Sequence, residues 1–349
     1  MVEEYSHAIF ELSRGQHIES YKHLVAAWDK LLTVFRDETG WLLPLVHQST
    51  FDIRKLATMA DESNSTAQKS GDQKHLRETG RLLSNGFSIC WNDRTDSRSP
   101  ESKKRGVLYV IVNLFKTYFK LNTLRLCKNL IKAVEVKIPG KPSIVELDVI
   151  PRGDLVAYRF FVGRLNMFED QYADAERSLD YALKHCRSDA WGNKRRILAY
   201  LIPIKLYRGI LPSKHLLQKY KFNEFMSLCE AVRCGHLEHF NQALHAYQDV
   251  FIRKGTYLVL EKVKTLVYRN LIKRIFLVAG DAKTKQLKLA RVLTALTWLN
   301  ETLSLDEIEC IIANLIFKGY IKGYISHKQR VLVLSKNQPF PIDKIRQQD

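Results

Sequence analysis

"LSLDEIECIIANLIFKGYIKGYISHKQRVLVL", residues 303–334, is the stretch whose reading decides the fold. Ser304 and Glu307 stand at capping-box spacing, and Leu303 and Ile308 are placed to staple a helix entry. Apolar residues recur at helical period to Phe317, and Gly319 follows where a left-handed C-cap is favoured. Two short β-type runs, YIKGYIS and RVLVL, then flank a polar HKQ. A further helical pattern, QLKLARVLTALTWLN (286–300), comes just before. Helix, helix, two-stranded wing is the order of a winged helix, a relative of the helix-turn-helix.

Upstream, most of the chain reads as helix at the 3.6-residue period. Residues 17–36, HIESYKHLVAAWDKLLTVFR, put Tyr21, Leu24, Val25, Trp28, Leu31, Leu32 and Phe35 on one stripe, which predicts an amphipathic helix with one buried face. Polar or Pro-containing breaks occur at 61–73, 92–106 and 137–154. In VGRLNMFEDQYADAERSLDYALKHC (162–186), Gly163, Ala175, Leu179 and Ala182 have the spacing at which small residues let antiparallel helices approach in tetratricopeptide-like repeats. The early aromatic is displaced and the closing proline is absent, so the repeat is degenerate. Its neighbours are expected to stack on it as a solenoid. In KRRILAYLIPIKLYRG, Pro203 is expected to kink or break the helix. The expected architecture is all-α: a helical-repeat region over 1–150, a second helical part over 151–280, a winged helix with a small β-hairpin over 281–338, and a tail over 339–349.

The 349 residues exceed the usual size of a single core. A hydrophobic fraction of 46% and a charged fraction of 26% are globular values. The formal charge of +18 points to a polyanionic partner or surface. More than half of it lies in residues 251–349, with 18 basic and 8 acidic side chains. The start of the chain lacks the pattern of a signal peptide, and no run of apolar residues is long enough to span a bilayer. Six scattered cysteines in apolar helical pattern read as reduced thiols.

A helical-repeat array fused to a winged helix, with NLFKTYFKLNTLRLCKNLIKAV (113–134), KRRILAYLIPIKLYRGILPS (194–213), VFIRKGTYLVLEKVKTLVYRNLIKRIF (250–276) and IECIIANLIFKGYIKGYISHKQRVLVLSKNQPFP (308–341), resembles the PCI-domain family of proteasome-lid, signalosome and initiation-factor subunits. The likeness covers roughly residues 105–341 and is greatest to the branch found in the nuclear transcription-and-export complex 2. It implies a non-enzymatic, cofactor-free mRNA-export subunit in the nucleus and at the nuclear pore. It also implies three partners: a large PCI-like scaffold of the germinal-centre-associated nuclear protein type, a small acidic DSS-type subunit, and RNA or DNA on a basic surface shared by two adjacent winged helices. The rival within the same family is a lid or signalosome scaffold that binds no nucleic acid.

The residues add their own expectations. On a helical wheel Lys262, Arg269 and Lys273 fall at about 0°, 340° and 20°, opposite Leu260, Val263, Val267 and Leu271. With Arg253, Lys254 and Arg274 they form a candidate phosphate-tracking stripe, or else an ordinary solvated face. The helix at 305–317 opens on Asp306, Glu307 and Glu309, which suit its dipole but leave few groups for base edges, so any nucleic-acid binding is expected through the backbone with little sequence preference. Tyr320, Lys322 and Tyr324 alternate on one strand face, either to stack on single-stranded bases or to pack on the domain, and Lys328 and Arg330 stand at the wing tip with His327. VLVL is apolar on both faces, so Leu332 and Leu334, or Val331 and Val333, need a further cover; Leu332 and Leu334 are assigned to the partner side.

Weaker signals are Cys229, Cys234, His236 and His239, whose spacing lacks the loop of a zinc finger. RGD at 152–154 and the sequon Asn64-Ser65-Thr66 read as chance, and Ser99-Pro100 stands in a basic loop as a candidate phosphorylation site. No P-loop, dinucleotide-binding glycines, nucleophile elbow or H-E-x-x-H is present.

Overall fold

A computed structural model describes residues 1–63, 73–136, 143–281 and 283–346. The sequon Asn64-Ser65-Thr66, most of the break at 61–73 and the start of that at 137–154 lie outside the described residues. The chain divides into two compact units, Met1–Val162 with Lys184–Cys186, and Gly163–Leu183 with Arg187–Asp349.

In the first unit, α1 (Val2–Ser13), α2 (His17–Asp37), α3 (Leu43–Ser63), α4 (Lys74–Trp91), α5 (Val107–Lys120) and α6 (Leu124–Glu135) form consecutive packed hairpins. The expected stripe of α2 is its buried face, with Tyr21, Leu24, Trp28, Leu31, Leu32 and Phe35 inside. The polar tips of its aromatics find partners as burial demands. The Tyr21 hydroxyl lies 3.0 Å from Thr79 Oγ1, and the Trp28 indole N–H donates to the Leu82 carbonyl at 3.3 Å. Helix α5 is apolar on nearly every side and is the central helix, buried from Val107 to Phe115 at all but Tyr109.

The second unit contains α8 (Tyr172–His185), which follows α7 (Arg152–Phe168), then α9 (Trp191–Tyr207), α10 (Lys214–Lys219), α11 (Asn223–Cys234), α12 (Leu237–Ala246), α13 (Gln248–Lys254) and the long α14 (Tyr257–Ala279). The repeat spacing is realised as a close approach. Ala175, Leu179 and Ala182 are fully buried, and a Cβ on Gly163 would sit 2.6 Å from Leu179 Cγ. Helix α9 runs through Pro203 without a break, because its apolar residues on both sides of the proline are held in the core. Gly235 ends α11 in the left-handed conformation, φ +67°, and stands against the α14 backbone, where a Cβ would meet Leu271 N at 2.4 Å.

The winged helix holds one strand that the sequence pattern hid. β1 (Gln286–Lys288) precedes α15 (Leu289–Trp298) and α16 (Leu305–Phe317), followed by β2 (Gly323–Ser326) and β3 (Val331–Leu334). The three strands pair antiparallel in the order β1-β3-β2, so β3 is central. Three residues of QLK at the head of a helical pattern carry no period of their own, and only pairing with β3 makes them a strand. The capping box at Ser304 and Glu307 forms as spaced, and Gly319 takes φ +72°. Residues 339–346 are built into this unit and include α17 (Asp343–Arg346). Lys322 N–H donates to the Pro339 carbonyl at 2.8 Å, the Arg269 guanidinium donates to the Phe340 carbonyl at 2.8 Å, and Ile345 is buried.

These close approaches rank two glycines. Gly163→Ala meets the buried Leu179 side chain and, less closely, the Ala175 carbonyl, so it should cost about 1–3 kcal/mol in a denaturant melt. Gly235→Ala meets backbone at a positive φ, so it should cost more than Gly163→Ala in the same experiment.

Candidate nucleic-acid interface

The register sorts the sheet into two faces, because directly opposed residues of antiparallel strands point the same way. Leu287, Leu332 and Ile325 are opposed on the inner face, and Leu332 has no exposed surface. Gln286, Val333 and Tyr324 form one row of the outer face, and Lys288, Val331 and Ser326 form the other. Tyr324 is 64% exposed there on β2, and Lys288 is exposed on β1, the opposite edge strand across β3. An aromatic ring and a cation on one solvated sheet face can stack on a base and hold its phosphate.

Leu332 and Leu334 are therefore not a partner surface. Both are buried in the winged helix itself, and the outer valines of the central strand are sheltered by side chains of two flanking strands. Without β1 the strand looked like an edge with one face uncovered. Tyr320 is also corrected. The turn at Gly319 brings its N–H to the Leu315 carbonyl at 2.8 Å, its ring is buried, and burial raises its hydroxyl pKa well above the usual tyrosine value. The strand begins only at Gly323, so the alternation starting at Tyr320 does not exist.

The basic stripe of α14 is not continuous. Arg269 is 5% exposed, and its guanidinium donates to Asn270 Oδ1 and the Phe340 carbonyl, both at 2.8 Å. Burial lowers its pKa. The wheel placed it with the lysines, but 339–346 covers that part of the helix. Lys262 is ion-paired to Asp170 at 2.7 Å and donates to the Tyr172 hydroxyl at 3.0 Å, and Lys254 is ion-paired to Glu224 at 3.2 Å. At the wing, Arg330 bonds Asp306 at 2.6 Å and Glu309 at 3.0 Å, and His327 bonds Glu309 at 2.8 Å. The acidic first turn of α16 thus engages Arg330 and His327 at the wing tip and leaves Lys328 without a carboxylate partner among the described residues. The His327 and Arg330 bonds hold the Glu309 carboxyl below its ordinary value.

Arg253, Lys273, Arg274, Lys322 and Lys328 have no carboxylate partner among the described residues. The same holds for Lys283, Lys285, Lys288 and Arg291, which surround β1 and which helix-based reasoning passed over. Their signal was a lysine at every second or third position before a capless helix start. Two large apolar side chains are also solvated, Trp298 at 79% on α15 and Phe317 at 90% on α16. The stacked rings of His236 and His239 lie 3.7 Å apart, Cys229 is buried with its thiol pushed up to about 12, and no group of three or more metal-ligating side chains occurs among the described residues.

Arg269 should behave as a structural residue. Arg269→Glu places an anion against two acceptors and should lower stability by about 3–5 kcal/mol, while Arg269→Met should lose much less. A thermal melt of both variants checks this, and equal melting of wild type and Arg269→Glu would contradict the burial.

The PCI domain model matches residues 244–336, the span from α12 to the end of β3. The chain is 38% identical over 343 residues to PCI domain-containing protein 2 homolog of Dictyostelium discoideum, covering 96% of this chain and 76% of that protein. It is 38% identical over 335 residues to Enhanced ethylene response protein 5 of Arabidopsis thaliana, covering 94% and 77%. PCI domain-containing protein 2 of Xenopus laevis is 37% identical over 332 residues, covering 94% and 80%. With this identity along nearly its whole length, the chain belongs to the PCI domain-containing protein 2 family.

Proposed function

We propose that the chain is a non-enzymatic scaffold and nucleic-acid-binding subunit of a nuclear mRNA-export complex, working in the nucleus and at the nuclear pore. The observation that carries this reading is the outer sheet face, where Tyr324 and Lys288 are exposed on the two edge strands, while Lys283, Lys285, Arg291, Lys322 and Lys328 flank those strands in the chain without a carboxylate partner among the described residues. A face with several unpaired cations and one aromatic ring favours single-stranded RNA or DNA held through its backbone. The acidic start of α16 argues against base-specific reading, since its carboxylates already hold the wing.

The partner side moves from the buried leucines to Trp298 and Phe317. Large exposed aromatics of this kind are the anchors that dominate protein interfaces. The partner that fits the family resemblance is a large PCI-like scaffold whose winged helix lies beside this one, with a small acidic DSS-type subunit completing the assembly.

Three variants separate these roles. Lys285→Glu, Lys288→Glu and Arg291→Glu together should weaken binding of a 15-nucleotide oligouridylate at least tenfold at low salt. They should also flatten the slope of log K against log salt by about 0.7 for each phosphate that is no longer neutralised. Tyr324→Ala should cost about 1–3 kcal/mol of binding with an unchanged slope. Trp298→Asp with Phe317→Asp should release the scaffold in co-purification from nuclear extract while oligouridylate binding stays. Undetectable RNA and DNA binding, with lid or signalosome subunits recovered instead, would establish the rival scaffold function.

A further inference from the structure

An open polar cleft of about 530 Å³ lies in the first unit, between the C-terminal ends of α2 and α4 and the loop at 92–106. Its lining includes Arg36, Asn85, Asn92, Asp93, Arg94 and Lys103. Lys103 is 8% exposed, and no carboxylate pairs with it among the described residues. Its ammonium donates to the Arg36 carbonyl at 2.8 Å and lies 5.2 Å over the Phe35 ring, so the end of α2 accounts for this one cation. The same helix end does not account for Arg36 and Arg94. Both guanidiniums are exposed and reach no partner among the described residues, and the side-chain amides of Asn85 and Asn92 are likewise unpaired.

Asp93 is the one acid in the lining, and its charge is already engaged. It accepts from the Lys103 N–H at 2.7 Å, the Ser102 hydroxyl at 3.1 Å, the Thr95 hydroxyl at 2.9 Å and the Thr95 N–H at 3.2 Å. These bonds fix the loop that carries Arg94 and Lys103. What remains is a cleft held in shape, lined by the two unengaged guanidiniums of Arg36 and Arg94 and by no free anion.

We propose that this cleft binds a phosphorylated peptide, with Arg36 and Arg94 holding a phosphoserine or phosphothreonine dianion. Guanidiniums match phosphate oxygens in bidentate geometry, and arginine clusters are the general means of phosphopeptide recognition. Asn85 and Asn92 can exchange hydrogen bonds with the peptide backbone on either side, and Ile89 offers an apolar surface for a neighbouring side chain. No aromatic ring lines the cleft, so nothing there stacks a base. That feature favours a peptide over a nucleic-acid strand. The cleft belongs to the first unit, whereas the proposed nucleic-acid face belongs to the second.

The test uses the full chain immobilised with an oriented peptide library. One form has fixed central phosphoserine or phosphothreonine, and the other has unmodified serine or threonine. Retention of the phosphorylated form should exceed that of the unmodified form at least tenfold. Arg36→Ala with Arg94→Ala should abolish the difference while leaving the melting temperature and oligouridylate binding unchanged, since both side chains are exposed and unpaired. Equal retention of the two forms would overturn the proposal. Loss of oligouridylate binding in the double variant, with no phosphopeptide selectivity in wild type, would assign the cleft to nucleic acid instead.

Discussion

Three consecutive residues of α14 fasten two neighbours, the end of α11 and the segment after the wing, and the second unit depends on that triple attachment. Arg269 donates to the Phe340 carbonyl, Asn270 donates to the Val232 carbonyl at 2.8 Å, and the backbone of Leu271 lies against Gly235. One turn of helix therefore ties the end of α11 to the segment that follows the wing. The attachments are of the kind that tolerates little substitution: a buried cation with fixed acceptors, an amide completing a helix end, and a backbone approach open only to glycine. The winged helix begins seven residues beyond α14 and is closed from the other side by residues 339–346, so its position rests on this turn.

Within that frame electrostatics separates structure from function. The bulk charge of +18 says little about which cations face a ligand. Lys254, Lys262 and Arg330 are ion-paired and Arg269 is buried, so four of the residues that looked most like a phosphate track hold the fold. The exposed pairs Lys262–Asp170 and Arg330–Asp306 contribute little stability each, but they remove charge from the surface potential. Among the cations left without carboxylate partners in the described residues, Lys283, Lys285, Lys288 and Arg291 surround β1, and in the first unit Arg36 and Arg94 line the cleft between α2 and α4.

What was legible in the sequence was whatever local chemistry decides. The capping box at Ser304, the left-handed turn at Gly319, the stripe of α2 and the Gly163–Ala175–Leu179–Ala182 approach each follow from spacing. What escaped was set by tertiary pairing. Gln286–Lys288 becomes a strand only because β3 lies beside it, and that pairing then buries Leu332 and Leu334, which an unpaired edge would have offered to a partner. Arg269 sits on the helix face where the wheel puts it, yet the chain returns over that face some seventy residues later. Period and charge describe one helix at a time, and neither carries information about what covers it.

Ultraviolet crosslinking of oligouridylate to the intact protein, followed by tryptic digestion and mass spectrometry, tests the central claim most directly. Nucleotide adducts should concentrate on the tryptic peptide Gly323–Lys328, which carries Tyr324, the exposed ring of the outer sheet face. Adducts confined to the first unit, or bound RNA with no adduct between residues 283 and 336, would contradict it.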